Sequence, residues 1–232
     1  MLSSVAACLA VCFLAVYMTS FRVDSTIYLD VNPSISLQVN SNEKVIRSEA
    51  ANPDGEIVME DMDLKNTDLN VAINAILGSM VKHGYLAETK DVVLLSVQGS
   101  SEEKTASLRS RLSEEINVCL TSLVGSSTVF DQSVEDDDEL EELASAYGIT
   151  PGKAALLQKV VAVDPSLSYG DLMGLSMDDL YQYLSRLGID LKDYVNYTGT
   201  PLDDEPDDDD FYADDAECEE NGIIQYFWIN LK

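Results

Sequence analysis

Basic residues are scarce: 14 Lys and Arg stand against 42 Asp and Glu in 232 residues, a formal net charge of −28. Binding to phosphate depends on neutralisation by Lys and Arg, so this balance excludes a nucleic-acid partner and direct adhesion to anionic headgroups. Basic proteins, cations and the envelope or its polysaccharides remain open as contacts. Histidine is rarer still. His83 is alone, and with four cysteines in no CxxC pair it completes no usual zinc site. Glycine-rich phosphate loops and a G-x-S-x-G elbow are missing, and no nucleophile–histidine pair can be assembled. No cofactor and no metal are expected, and enzyme action on an external substrate has nothing positive behind it.

Long apolar runs are also absent, with one exception. Residues 2–18 are almost wholly apolar or small, and no charge precedes Arg22. A helix over residues 1–21 would span the roughly 30 Å hydrocarbon core. A cleaved signal peptide would want a basic residue before the run and a small-x-small site after it. Neither is there, so the expectation is a single-pass anchor with the acidic bulk outside the cytoplasm. Cys8 and Cys12 fall inside this segment as small hydrophobes. A Cys119–Cys218 disulfide has no spacing to support it.

Past the anchor, Ile27, Leu29 and Val31 alternate with polar neighbours, as do Ile35, Leu37 and Val39 after Pro33. Both runs read as strands, and residues 45–50 as a third. Asn52-Pro53-Asp54-Gly55 reads as a turn. Thr67 is the expected cap of a helix carrying Leu69, Ile73, Ile76, Leu77 and Met80 on one face and closing at Gly84. Residues 91–97 read as a buried Val/Leu strand, residues 108–123 as a second helix, and residues 128–130 as an edge strand. The pattern predicts an α+β fold, a small sheet covered by two helices on one face. A small helical subdomain follows: Thr150-Pro151 is a cap with Pro at N1, and Ser168 and Ser176 each open a Ser-x-x-Asp start. Between residues 203 and 220 lie twelve acidic residues and no basic one. That run predicts a disordered tail, since like charges repel and little apolar area is available. It lacks the glycine and fixed spacing of an EF-hand loop. The closing residues 223–231 read either as a docking strand or as the remains of a longer chain. The expected division is 1–21 membrane helix, 22–133 α+β domain, 134–189 helical subdomain and 190–232 acidic tail.

One dipeptide carries chemistry. Asn32-Pro33 joins the first two strands. Ordinary deamidation needs the next residue's backbone N–H, and Pro33 has none. The route left open is attack by the Asn32 side-chain nitrogen on its own carbonyl carbon, closing a succinimide and expelling Pro33 as a secondary amine. Such scission needs a fold that holds the nucleophile against the carbonyl. Asp30 and Ser34 stand close enough in sequence to assist proton movement. The plainer reading makes Pro33 a break in an edge strand, and Asn52-Pro53 repeats the dipeptide where it reads as a turn.

The stretch Asp30-Val31-Asn32-Pro33-Ser34, the alternating strand ending at Asn40, the Gly84-Tyr85 helix end and the Val-rich strand of residues 92–97 together resemble the extracytoplasmic juxtamembrane region of RsgI-type anti-sigma factors. Gly148-Ile149-Thr150-Pro151 and Asp164-Pro165-Ser166-Leu167 are similar to the helical portion that follows it. The likeness runs from about residue 20 to residue 189. It implies scission between Asn32 and Pro33 with both pieces staying associated. It also implies that pulling on the outer part extracts the severed strand and leaves a membrane stub for an intramembrane protease. The partners implied are the membrane, that protease and a sigma-regulatory system controlling transcription. Two departures stand out: the sequence carries neither the cytoplasmic sigma-binding domain that would precede the span nor a recognisable carbohydrate-binding module. The rival expectation is a membrane-anchored interaction module with an intact Asn32–Pro33 bond.

Overall fold

Alternating residues pair first. β1 (Ser25–Asp30) and β2 (Ser34–Val39) form an antiparallel hairpin, with Ile27 opposite Leu37, Leu29 opposite Ile35 and Asp30 opposite Ser34. β3 (Val45–Ala50) adds to β2, and β4 (Asp91–Gly99) pairs antiparallel with the other edge of β1. β1 is therefore bonded on both sides. The computed structural model describes residues 21–87 and 91–199. The expected membrane helix (apart from Phe21), the acidic run and residues 223–231 lie outside the described residues. Among the described residues no helix is long and apolar enough to cross a membrane.

After β4 the chain crosses through α3 (Glu102–Val124) to β5 (Ser127–Val134), which runs parallel to β4. β6 (Asn196–Gly199) then pairs antiparallel with β5, completing the order β3-β2-β1-β4-β5-β6. Residues 128–130 are thus part of a longer interior strand rather than an edge. Residues 196–199, which composition assigned to the tail, supply the edge. Asp131 on β5 fixes this end of the sheet. It pairs with Arg109 Nε at 2.9 Å and accepts from Ser113 Oγ at 3.0 Å, while Ser113 also reaches Thr198 on β6.

The core lies on both faces of the sheet, not one. α1 (Pro53–Met59), α2 (Leu69–Lys82) and α3 cover the first face. There Ile27, Leu29, Ile35, Leu37, Val93, Leu95 and Val97 pack with Ile76, Leu77, Leu112 and Ile116 in one buried cluster. The second face carries Tyr28, Asp30, Ser96, Phe130 and Gln132, all buried. α4 (Asp138–Tyr147), α5 (Pro151–Val163), α6 (Tyr169–Leu172) and α7 (Met177–Arg186) follow. α5 presses its first turn onto the second face: a Cβ on Gly152 would lie 2.5 Å from that of Ser96 and 3.1 Å from that of Tyr28. Farther along, the Tyr181 ring of α7 lies 5.9 Å from that of Phe130.

Two local expectations change. Asn52-Pro53-Asp54-Gly55 is a helix start rather than a turn: Asn52 caps α1 by accepting from Gly55 N at 2.8 Å, with Pro53 in its first turn. Pro fixes the same φ at a turn's second position and at a helix's first, so the dipeptide alone does not choose between them. The cap of α2 is Asp68, one residue beyond Thr67.

Candidate functional site

The Asn32–Pro33 bond sits in the short loop that joins β1 to β2. The loop is pinned from inside by Val31 N donating to Pro33 O at 3.1 Å. From the second face, Met177 N at the start of α7 donates to Val31 O at 2.6 Å. Pro33 is buried and Asn32 half-buried.

The backbone carbonyl and the side-chain amide of Asn32 are both engaged, and by one short element. The backbone carbonyl oxygen accepts from Asn52 Nδ2 at 2.7 Å. The side-chain nitrogen donates to Asp54 Oδ2 at 2.8 Å. The other oxygen of Asp54 accepts from the Tyr85 hydroxyl at 2.8 Å, which holds the Tyr85 phenol above its usual value. Tyr85 is presented by the chain reversal that ends α2. There Gly84 takes a φ of +79° that a side chain would resist, and Tyr85 N bonds back to Met80 O at 2.9 Å.

Asn52 works twice. Its Oδ1 accepts from Gly55 N and, at 3.2 Å, from Ser34 N, so one side chain ties the α1 cap to the residue after Pro33. Ala51 N adds a bond to Ser34 O at 2.8 Å. The approach is so close that a Cβ on Gly55 would stand 2.8 Å from Ser34 O.

Asp30 and Ser34 occupy a second cluster, away from the Asn32 amide. Ser34 Oγ donates to Asp30 Oδ1 at 2.6 Å, and Thr150 Oγ1 donates to Asp30 Oδ2 at 2.5 Å. Thr150 accepts from Lys153 N in turn as the cap of α5. Lys153 is itself buried and donates its Nζ to Leu175 O. Burial raises the Asp30 pKa, against the two hydroxyl donors and the Lys153 charge, which lower it. Burial lowers the Lys153 pKa, against the opposing Asp30 charge. A raised carboxyl pKa means that Asp30 contributes stability that is fully present below its unfolded value. That contribution is lost as pH rises through the folded value. In a carboxyl-carbon NMR titration, Asp30 is expected to titrate above exposed aspartates, and Thr150→Val, which removes a donor, should drive it higher still.

Of the residues singled out from sequence, Asn32 and Pro33 lie in the loop between β1 and β2, and Asp30 and Ser34 pair with each other in the separate buried cluster. Asn52, Asp54 and Tyr85 went unassigned. Their signals were present: Asn52-Pro53 fits a helix cap with Pro at N1 as well as a turn, and Gly84-Tyr85 marked a helix end.

Residues 24–159, more than half of the 232, match the family described as the anti-sigma factor RsgI-like central domain. Among curated proteins, anti-sigma-I factor RsgI7 of Acetivibrio thermocellus is 29% identical over 144 residues, covering 61% of this chain and 26% of the relative. RsgI6 of the same organism is 24% identical over 205 residues, covering 81% of this chain and 26% of the relative. RsgI of Bacillus subtilis is 26% identical over 125 residues, covering 53% and 32%. The chain thus spans about a quarter to a third of the length of these relatives. By this match the chain belongs to the RsgI-like anti-sigma factor family, through the central domain of residues 24–159.

Proposed function

We propose that this protein is the extracytoplasmic signalling portion of an RsgI-like anti-sigma factor and that it cuts itself between Asn32 and Pro33. The observation that carries this reading is the double hold on Asn32: its carbonyl oxygen accepts from Asn52 and its side-chain nitrogen donates to Asp54, 2.7 and 2.8 Å away. A scissile carbonyl polarised by a fixed donor, with the nucleophile engaged on the same residue, is what ring closure at an Asn-Pro bond requires. Attack of Nδ2 on the Asn32 carbonyl carbon forms the succinimide ring. The bond to Pro33 breaks, and the proton given up by Nδ2 ends on the Pro33 nitrogen.

In this reading residues 1–21 anchor the chain and residues 22–133 form the self-processing domain. Residues 134–189 form the helical portion, residues 196–199 close the sheet edge as β6, and the acidic run of residues 203–220 serves as a tail in the envelope. The cut strand stays in place because β1 has six register pairs with β2 and six with β4. Removing it under load leaves a membrane stub for an intramembrane protease and so relays a signal to the sigma factor. Amino-terminal sequencing of the purified chain tests the scission. A fragment beginning at Pro33 that co-elutes with the remainder under native conditions supports it. A folded chain with no such fragment leaves a membrane-tethered interaction module as the better account.

A further inference from the structure

Ring closure at Asn32 leaves a proton to be managed, because an amide nitrogen that attacks a carbonyl must shed one. Asp54 is the carboxylate that contacts this nitrogen. Its Oδ2 lies 2.8 Å from Asn32 Nδ2 and its Oδ1 is occupied by the Tyr85 hydroxyl at 2.8 Å. We propose that Asp54 is the catalytic base of the scission, with Tyr85 as the positioning residue that keeps its free oxygen on the nucleophile and Asn52 as the donor to the developing oxyanion. The assignment rests on the self-cleavage reading.

The geometry separates the roles. Asn52 presents only its amide nitrogen to the Asn32 carbonyl oxygen, because its own oxygen is held by Gly55 N and Ser34 N. That division fixes which end of the amide faces the reacting bond. Asp54 touches the nucleophile and not the carbonyl, so it suits proton removal rather than charge stabilisation. Tyr85 contributes through Asp54: without it, the carboxylate has no second anchor among these bonds. The alternative assistants are held elsewhere: inside the second face Asp30 accepts from both Ser34 and Thr150.

The step balances without an external reagent. The Nδ2–C bond forms and the C–N bond to Pro33 breaks. The proton from Nδ2 passes to Asp54 Oδ2 and then to the Pro33 nitrogen, which leaves as a neutral secondary amine. No water is consumed, so the two fragments at first sum to the mass of the uncut chain.

The test is the rate of scission in newly synthesised full chain, for wild type, Asp54→Ala, Asp54→Ala with added formate, Tyr85→Phe, and Asp54→Ala combined with Tyr85→Phe. Asp54→Ala is expected to slow scission roughly 100-fold or more, and formate should restore part of the rate by filling the vacated space. Tyr85→Phe should slow the wild-type chain but leave the Asp54→Ala chain no slower. Formate rescue distinguishes a lost base from a damaged fold. If wild type cuts and Asp54→Ala cuts equally fast, the assignment is overturned while the self-cleavage reading stands. A slow Asp54→Ala chain that formate leaves slow also overturns it, reducing Asp54 to a support for the loop. If wild type does not cut at all, both fail together.

Discussion

Gly55→Ala is expected to slow scission about 100-fold while leaving the fold intact. The reason is position. A Cβ at Gly55 would stand 2.8 Å from Ser34 O, 3.1 Å from the Ala50 Cβ and 3.2 Å from Asn52 Oδ1. The nearest of these is a backbone atom, which cannot swing aside, so α1 must move away from the hairpin. Asn52 and Asp54 precede Gly55 in the same first turn and move with it, lengthening the contacts to the Asn32 carbonyl and amide. Displacement of a catalytic group by about 1 Å costs on the order of 100-fold in rate. The fold should survive, because an overpacked site of this kind costs about 1–3 kcal/mol and Gly55 lies at the start of a short helix, outside the strand core. Gly78→Ala is the control: its Cβ would meet nothing within 4 Å, it should add a few tenths of a kcal/mol or more to helix stability, and scission should proceed at the wild-type rate. Scission rates by denaturing gel beside thermal melts of both variants check this pair.

Leu29→Ala is expected to spare scission and release the severed strand at least about 100-fold faster. Leu29 is fully buried on the first face, opposite Ile35 on β2 and Leu95 on β4. Truncating such a side chain costs about 3 kcal/mol or more through lost transfer energy and the cavity left behind. In the uncut chain that cost lowers stability alone. Once the Asn32–Pro33 bond is open, β1 is held only by pairing and burial, and the loss appears mainly in the dissociation rate, with each 1.4 kcal/mol worth tenfold. Strand directions set how force is resisted. β1 is antiparallel to β4, β4 parallel to β5, and β5 antiparallel to β6. The start of β1 and the end of β6 therefore lie at opposite ends of the sheet. A pull between them loads the β1 ladders in shear, against all their bonds together. Dilution of cleaved wild type and Leu29→Ala, with appearance of the free amino-terminal fragment followed over time, measures the difference.

The hairpin at the centre of this behaviour was legible. Ile27, Leu29, Ile35 and Leu37 alternate cleanly, and a buried face fixes the register of such strands. Thr150, Ser168 and Ser176 were legible as caps, each accepting from the backbone three residues on. The second covered face was not read, although its signal was there. Val92, Val93, Leu94 and Leu95 are all fully buried, and a run of four apolar strand residues means burial on both faces. α5 carries the matching sign, with residues 152–157 buried in succession. β6 had no sequence signal. Asn196-Tyr197-Thr198-Gly199 is polar, and its place comes from ladder bonds to β5 and from Ser113.

The chemistry was half legible for a similar reason. Asn32-Pro33 announces which bond can break, because the missing N–H of Pro33 is a local fact. Which groups touch Asn32 is a matter of tertiary contact: Asp54 is 22 positions from Asn32, and Tyr85 is 31 from Asp54. The same dipeptide at Asn52-Pro53 is built into a helix cap, which commits its side chain elsewhere. Its Asn side chain is spent on Gly55 N, Ser34 N and Asn32 O.

Intact-mass spectrometry on the full chain made in a purified, protease-free translation system tests the self-cleavage most directly. The expected result is two fragments meeting at Asn32 and Pro33, with early masses that sum to the uncut chain because Asn32 ends as a succinimide. A single folded chain that stays uncut would contradict it.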